Sequence, residues 1–78
     1  MDKTIREHDA VVLLRDLPGL PLVAGDTGAV VYVYDNAPTF EVEFANPAGD
    51  PRFLVETVNA QDLLKLQPRR HAMTQRSA

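Results

Sequence analysis

The sequence predicts a small all-β domain, and three observations predict it. Short apolar runs rich in β-branched residues recur between turn residues. One of them, Thr39-Phe40-Glu41-Val42-Glu43-Phe44, alternates strictly, which places Phe40, Val42 and Phe44 on one face and Glu41 and Glu43 on the other. The first run, Ala10 to Arg15, is too short to hold a helix by itself.

Taken in order, that first run is a strand ended by Asp16-Leu17-Pro18-Gly19-Leu20-Pro21, where two prolines and a glycine stop either regular form. A loop to Ala24 leads into Gly25-Asp26-Thr27-Gly28, whose glycines suit a tight turn with a left-handed or bulged residue. The second strand, Ala29 to Tyr34, is apolar on both faces and is expected to be central and partly covered on its outer side. Asp35-Asn36-Ala37-Pro38 turns the chain into the alternating third strand, making an antiparallel hairpin. After Asn46 to Pro51, a fourth strand is predicted over Arg52 to Val58. A helical turn follows over Asn59 to Leu64, with Asn59 as its cap. A fifth strand, Leu64 to Leu66, is expected to lie beside the first. Five short strands with a helical turn before the last describe an SH3-like barrel over residues 9–67, preceded by an extension at 1–8 and followed by a flexible basic tail at 68–78. A longer helix from Ala60, giving an α+β domain, is the rival arrangement, and Pro68 limits it.

Composition narrows the functional classes. With 78 residues the chain allows one domain, and with no cysteine it has neither a disulfide nor a thiolate nucleophile or metal ligand. A charged amino terminus and short apolar runs predict a soluble, cytoplasmic protein that does not enter a membrane. The net charge of −3 hides an asymmetry: all eleven acids lie at or before Asp62, whereas Arg69, Arg70 and Arg76 occupy the tail. An acidic body repels phosphate backbones, so nucleic acid is an unfavourable partner.

No residue pattern predicts catalysis. The only serine is Ser77, and no threonine has a histidine spaced to suggest a triad. His8 between Glu7 and Asp9 lacks the spacing of a metal-ligand set, and Gly25 to Gly28 precedes a strand rather than a phosphate-binding helix, so no metal or cofactor is expected. Glu41 and Glu43 lack neighbours that would separate their proton affinities, and a solvated strand face, or a docking face for a basic partner, is the better account. Tyr32 and Tyr34 share a face of the second strand. Burial is the expectation there, with an aromatic ledge for peptides or bases as the alternative.

The runs Val11 to Pro18, Leu22 to Val31 and Glu41 to Phe44 resemble a family of small bacterial proteins grouped as domain of unknown function 4926, over roughly residues 9–66. The family is similar to SH3-like barrels, among them the barrel of the nitrile hydratase β subunit. The resemblance implies an accessory or antitoxin-like partner of a small toxin or nuclease, with no catalytic residues to carry over. This chain departs from it at Pro38, where relatives have a glycine-containing turn, and in its arginine-bearing tail.

The expectation is therefore a non-catalytic protein-binding module that meets a basic partner through Glu41, Glu43, Asp26, Asp35 and Glu56, with Tyr32 and Tyr34 beside them. The alternatives are a nucleic-acid-binding barrel using the tyrosines with Arg52, Arg69 and Arg70, and an accessory homodimer paired through a strand edge.

Overall fold

A computed structural model describes residues 4–35, 38–46 and 52–67. They form one antiparallel sheet of five strands: β1 (Ala10–Leu13), β2 (Thr27–Val33), β3 (Thr39–Phe44), β4 (Leu54–Asn59) and β5 (Leu63–Lys65), in the order β4-β3-β2-β1-β5. A 3-10 turn, Ala60–Asp62, stands between β4 and β5. The all-β prediction holds, with β5 beside β1 as expected, and β3 keeps its predicted bounds. Asn59 precedes the 3-10 turn, but its side chain makes no cap hydrogen bond. The tail from Pro68 onward, with Arg69 and Arg70, lies outside the described residues.

The core lies on one face of the sheet. Val11 and Leu13 of β1, Val30 of β2, Phe40, Val42 and Phe44 of β3, Val58 of β4 and Leu63 of β5 are all buried, joined by Leu22 from the long β1–β2 connection. The alternation of β3 explains its share directly, because every second side chain points inward. Leu22 reaches the core because its connection is itself folded. Leu17-Pro18-Gly19-Leu20 forms a type II-like turn with Gly19 at φ 80° and Leu20 N–H donating to Leu17 O at 3.2 Å. The Leu17 N–H donates to Leu22 O at 3.0 Å, and Asp16 Oδ1 accepts from Ala24 N at 2.9 Å.

Of the two glycines assigned to the next turn, only Gly25 has a positive φ, 97°. Gly28 lies within β2 and serves packing instead. A Cβ there would stand 2.7 Å from Glu43 O and 2.9 Å from atoms of Phe44 and Val42, so no side chain fits between β2 and β3.

Residues 4–8, expected to precede the domain, are fastened to it. Ile5 packs on the core, and Lys65 Nζ donates to Thr4 O at 3.0 Å while pairing with Asp9 Oδ2 at 3.2 Å. Arg6 to Asp9 makes a turn closed by Asp9 N–H on Arg6 O at 3.1 Å, with His8 at φ 77° in its third position. His8 N–H donates to Val30 O, and Val30 N–H donates to Asp9 O, so two residues oppose one. That is a G1 bulge with histidine where glycine is usual. The 3-10 turn is held to the end of β1 by Arg15 Nε on Asp62 Oδ1 at 3.0 Å and by Leu14 N–H on Asp62 O at 2.9 Å.

Gly28→Ala is expected to destabilise the fold by about 1–3 kcal/mol in denaturant unfolding, the usual range for overpacking. His8→Gly relieves a left-handed backbone and should stabilise by about 0.5–1 kcal/mol after the entropy of glycine is counted. A lower midpoint for His8→Gly would contradict this reading of the bulge.

Candidate functional site: the outer face of strands two to four

Strand β2 loses its regular alternation at one point. Val30 pairs with Val42 of β3, yet Tyr32 pairs with Glu41 and Val33 with Phe40, so the register shifts between Val30 and Tyr32 and Val31 is the extra residue. Without the shift, Tyr32 and Tyr34 would follow Val30 inward. With it, Val33 turns partly inward and both tyrosines turn outward, at 51% and 40% exposure. The expected burial of the pair is therefore corrected: the bulge makes the aromatic ledge.

On the same face Tyr32 and Tyr34 meet edge to face, ring centroids 4.9 Å apart and planes at 72°. The Tyr34 hydroxyl donates to Glu41 Oε2 at 2.5 Å, and Thr57 Oγ1 of β4 donates to the same oxygen at 2.5 Å. Thr57 is the direct cross-strand partner of Glu41, which accounts for that contact. Glu43 stands two residues along, between Ala29 of β2 and Val55 of β4. Val55 is exposed, and so is Phe53, just ahead of β4. None of the three strands contains a lysine or arginine. The result is an exposed apolar and aromatic surface with fixed negative charge.

The two hydroxyl donors hold the Glu41 carboxyl below the ordinary glutamate range, the Thr57 bond being the larger cause. The Glu41 carboxylate in turn pushes the Tyr34 phenol up from its ordinary value. Both bonds favour the charged carboxylate and the neutral phenol. Their contribution to folding is thus present between the ordinary glutamate and tyrosine values, about 4.3 and 10. It is lost as pH falls through the depressed value of folded Glu41, or rises through the elevated value of folded Tyr34.

The other expected site residues are not gathered here. Asp26 precedes β2 and is used by the connection, its Oδ2 accepting from Val23 N at 2.9 Å. Glu56 pairs with Val42 and therefore sits on the core face of edge strand β4, opposite to Glu41 and Glu43. Asp35 is exposed immediately after Tyr34, and Arg52 is exposed before Phe53. Sequence reasoning passed over Thr57 and Val55, although strand alternation through β4 puts them on the outer face.

A concavity lies elsewhere. An apolar cavity of about 580 Å³ is lined by Ile5, Phe40, Ala60, Leu63 and Leu64, with Thr4, Lys65 and Gln67 around it. None of the candidate residues lines it. Among the described residues, no three histidine, cysteine or acidic side chains are grouped to hold a metal ion.

Thr57→Val is expected to raise the Glu41 titration midpoint toward the ordinary glutamate value, followed by NMR of the side-chain carboxyl carbon. A midpoint unmoved by that substitution would show that Thr57 does not hold the carboxylate.

Comparison with curated proteins and with solved structures finds no match to this chain. A family model does match, over residues 7–65, and it spans β1 to β5 together with the His8 bulge and the outer face. The chain belongs to the family described as domain of unknown function (DUF4926).

Proposed function

We propose that this protein is a non-catalytic binding module that docks a basic protein surface on the outer face of β2, β3 and β4. The observation that carries the reading is the pair Tyr32 and Tyr34, exposed and in mutual contact, beside a Glu41 carboxylate already oriented by two hydroxyl donors. Tyrosines offer large rigid contact area at low entropic cost, and a preset carboxylate offers a charge-assisted acceptor to lysine or arginine. Acidic surface also speeds capture of a basic partner. Neutralising a nuclease or similar toxin, as an antitoxin or immunity protein does, is a role this chemistry suits, because an acidic module covers a nucleic-acid groove by charge complementarity.

The two rings also suit stacking with nucleobases, which keeps nucleic acid as the second reading. Glu41 and Glu43 on the same face oppose phosphate, so this reading is the weaker one. Among the described residues no helix is long and apolar enough to cross a membrane.

The test is affinity capture from native extract at moderate salt with wild-type protein and with Glu41→Lys/Glu43→Lys. Wild type should retain a basic protein in near-stoichiometric yield, and the reversed variant should lose it. Equal retention by both would remove the proposal. Titration with RNA and DNA at low salt separates the second reading: binding there that is strengthened by charge reversal would favour nucleic acid.

A further inference from the structure

The sheet has two edges, and they are not equivalent. At one edge β5 is three residues long, and Lys65 ties it to Thr4 and Asp9 of the amino-terminal segment. At the other, β4 is six residues long, and among the described residues no strand pairs with its far side.

The hydrogen-bond phase of β4 follows from bonds at its end. Ala60 N–H donates to Pro38 O at 2.6 Å, one step beyond the pair Asn59 and Thr39. Tyr34 N–H donates to Thr39 O, so the Thr39 carbonyl faces β2 and its neighbours Pro38 and Phe40 face β4. Since alternate residues of an antiparallel strand bond to opposite sides, Leu54, Glu56 and Val58 bond inward to β3. Val55, Thr57 and Asn59 thus direct their N–H and C=O groups to the open edge. The residues that offer free backbone are the same ones whose side chains stand on the outer face next to Glu41 and Glu43.

Glu56 decides what can join this edge. It lies on the core face between Leu54 and Val58, where an inward charge opposes indiscriminate pairing. In a symmetric antiparallel pairing of two β4 strands, the in-phase registers that use most of the strand set Glu56 either directly opposite its copy or one diagonal step from it, within roughly 8 Å. Like charges there oppose a second copy. A strand with lysine or arginine at that position would neutralise Glu56, and apolar residues flanking it would cover Val55 and the outer face.

From this we infer that β4 receives an extended segment of the partner by strand addition, with a basic residue opposite Glu56 and apolar residues on either side of it. The inference rests on the binding-module reading and supplies its geometry: main-chain bonds give affinity, and alternate side chains give selectivity.

The probe is a capped six-residue peptide alternating lysine with valine, compared with its glutamate-for-lysine counterpart, added to the full chain and followed by amide hydrogen exchange in NMR. The lysine peptide is expected to slow exchange at Val55 and Thr57 by about tenfold at saturation, because a bonded amide exchanges only on opening. The glutamate peptide should have no effect on wild type and should protect Glu56→Lys instead. Val55→Pro removes an edge donor without touching the β3 ladder, and it should abolish protection at Thr57 while the fold is retained. Lysine-peptide binding that perturbs Tyr32 and Tyr34 but leaves Val55 and Thr57 unprotected overturns strand addition and leaves the outer-face reading standing. No binding of the lysine peptide overturns the inference, while capture by Glu41 and Glu43 still decides the broader proposal. Protection that grows with protein concentration in the absence of peptide assigns the edge to a second copy and also overturns it.

Discussion

The extra residue in β2 is the constraint on which the rest of the outer face depends. Val30 is bonded on one side to a bulge at His8 and Asp9, and on the other side the β2–β3 register shifts at Val31. One residue inserted against a partner strand exchanges the two faces for everything beyond it. Val30 therefore stays in the core while Tyr32 and Tyr34, which share its parity in the sequence, emerge on the other side. Two bulges around one residue also bend the sheet where β1, β2 and β3 meet, and bending lets a single sheet wrap its own core.

Close packing enforces this arrangement at the start of the same strand. Gly28 allows β2 to approach Glu43 and Phe44 of β3 more closely than any side chain permits, which fixes the register before the bulge. Beyond the bulge, Phe40 resumes pairing with Val33, while the unbroken β3–β4 register sets Thr57 opposite Glu41. The hydrogen bonds from Tyr34 and Thr57 then link three adjacent strands through a single carboxylate. A change in register along β2 would take Tyr34 away from Glu41, whereas the Thr57 bond rests on the β3–β4 register, so the full site needs both registers.

Much of the fold was legible because apolar alternation reports burial. Strand β3 was read with its bounds intact, since Phe40, Val42 and Phe44 can be buried together in only one way. The long connection was legible as punctuation, Pro18 and Gly19 being the residues a type II turn requires. The site was legible only in part. Glu41 and Glu43 follow from alternation, but a bulge has no compositional mark in a run such as Val30 to Tyr34, where every residue is apolar or aromatic. Charge alone groups Glu56 with Glu41 and Glu43, but parity does not: between Val55 and Thr57 it must face the core side whenever they face out. Gly28 looked like a turn residue because it stands near Gly25, and its role in packing is visible only once β3 lies beside it.

The outward position of the two tyrosines is the feature on which the outer face turns, and the chain reports it directly because it has two tyrosines and no tryptophan. Acrylamide quenching of their fluorescence in the native protein measures that exposure. Rings 51% and 40% exposed predict substantial native quenching that is still below that of the unfolded chain; native tyrosines strongly shielded from acrylamide would mean that β2 runs without its bulge and that the outer face does not exist in this form.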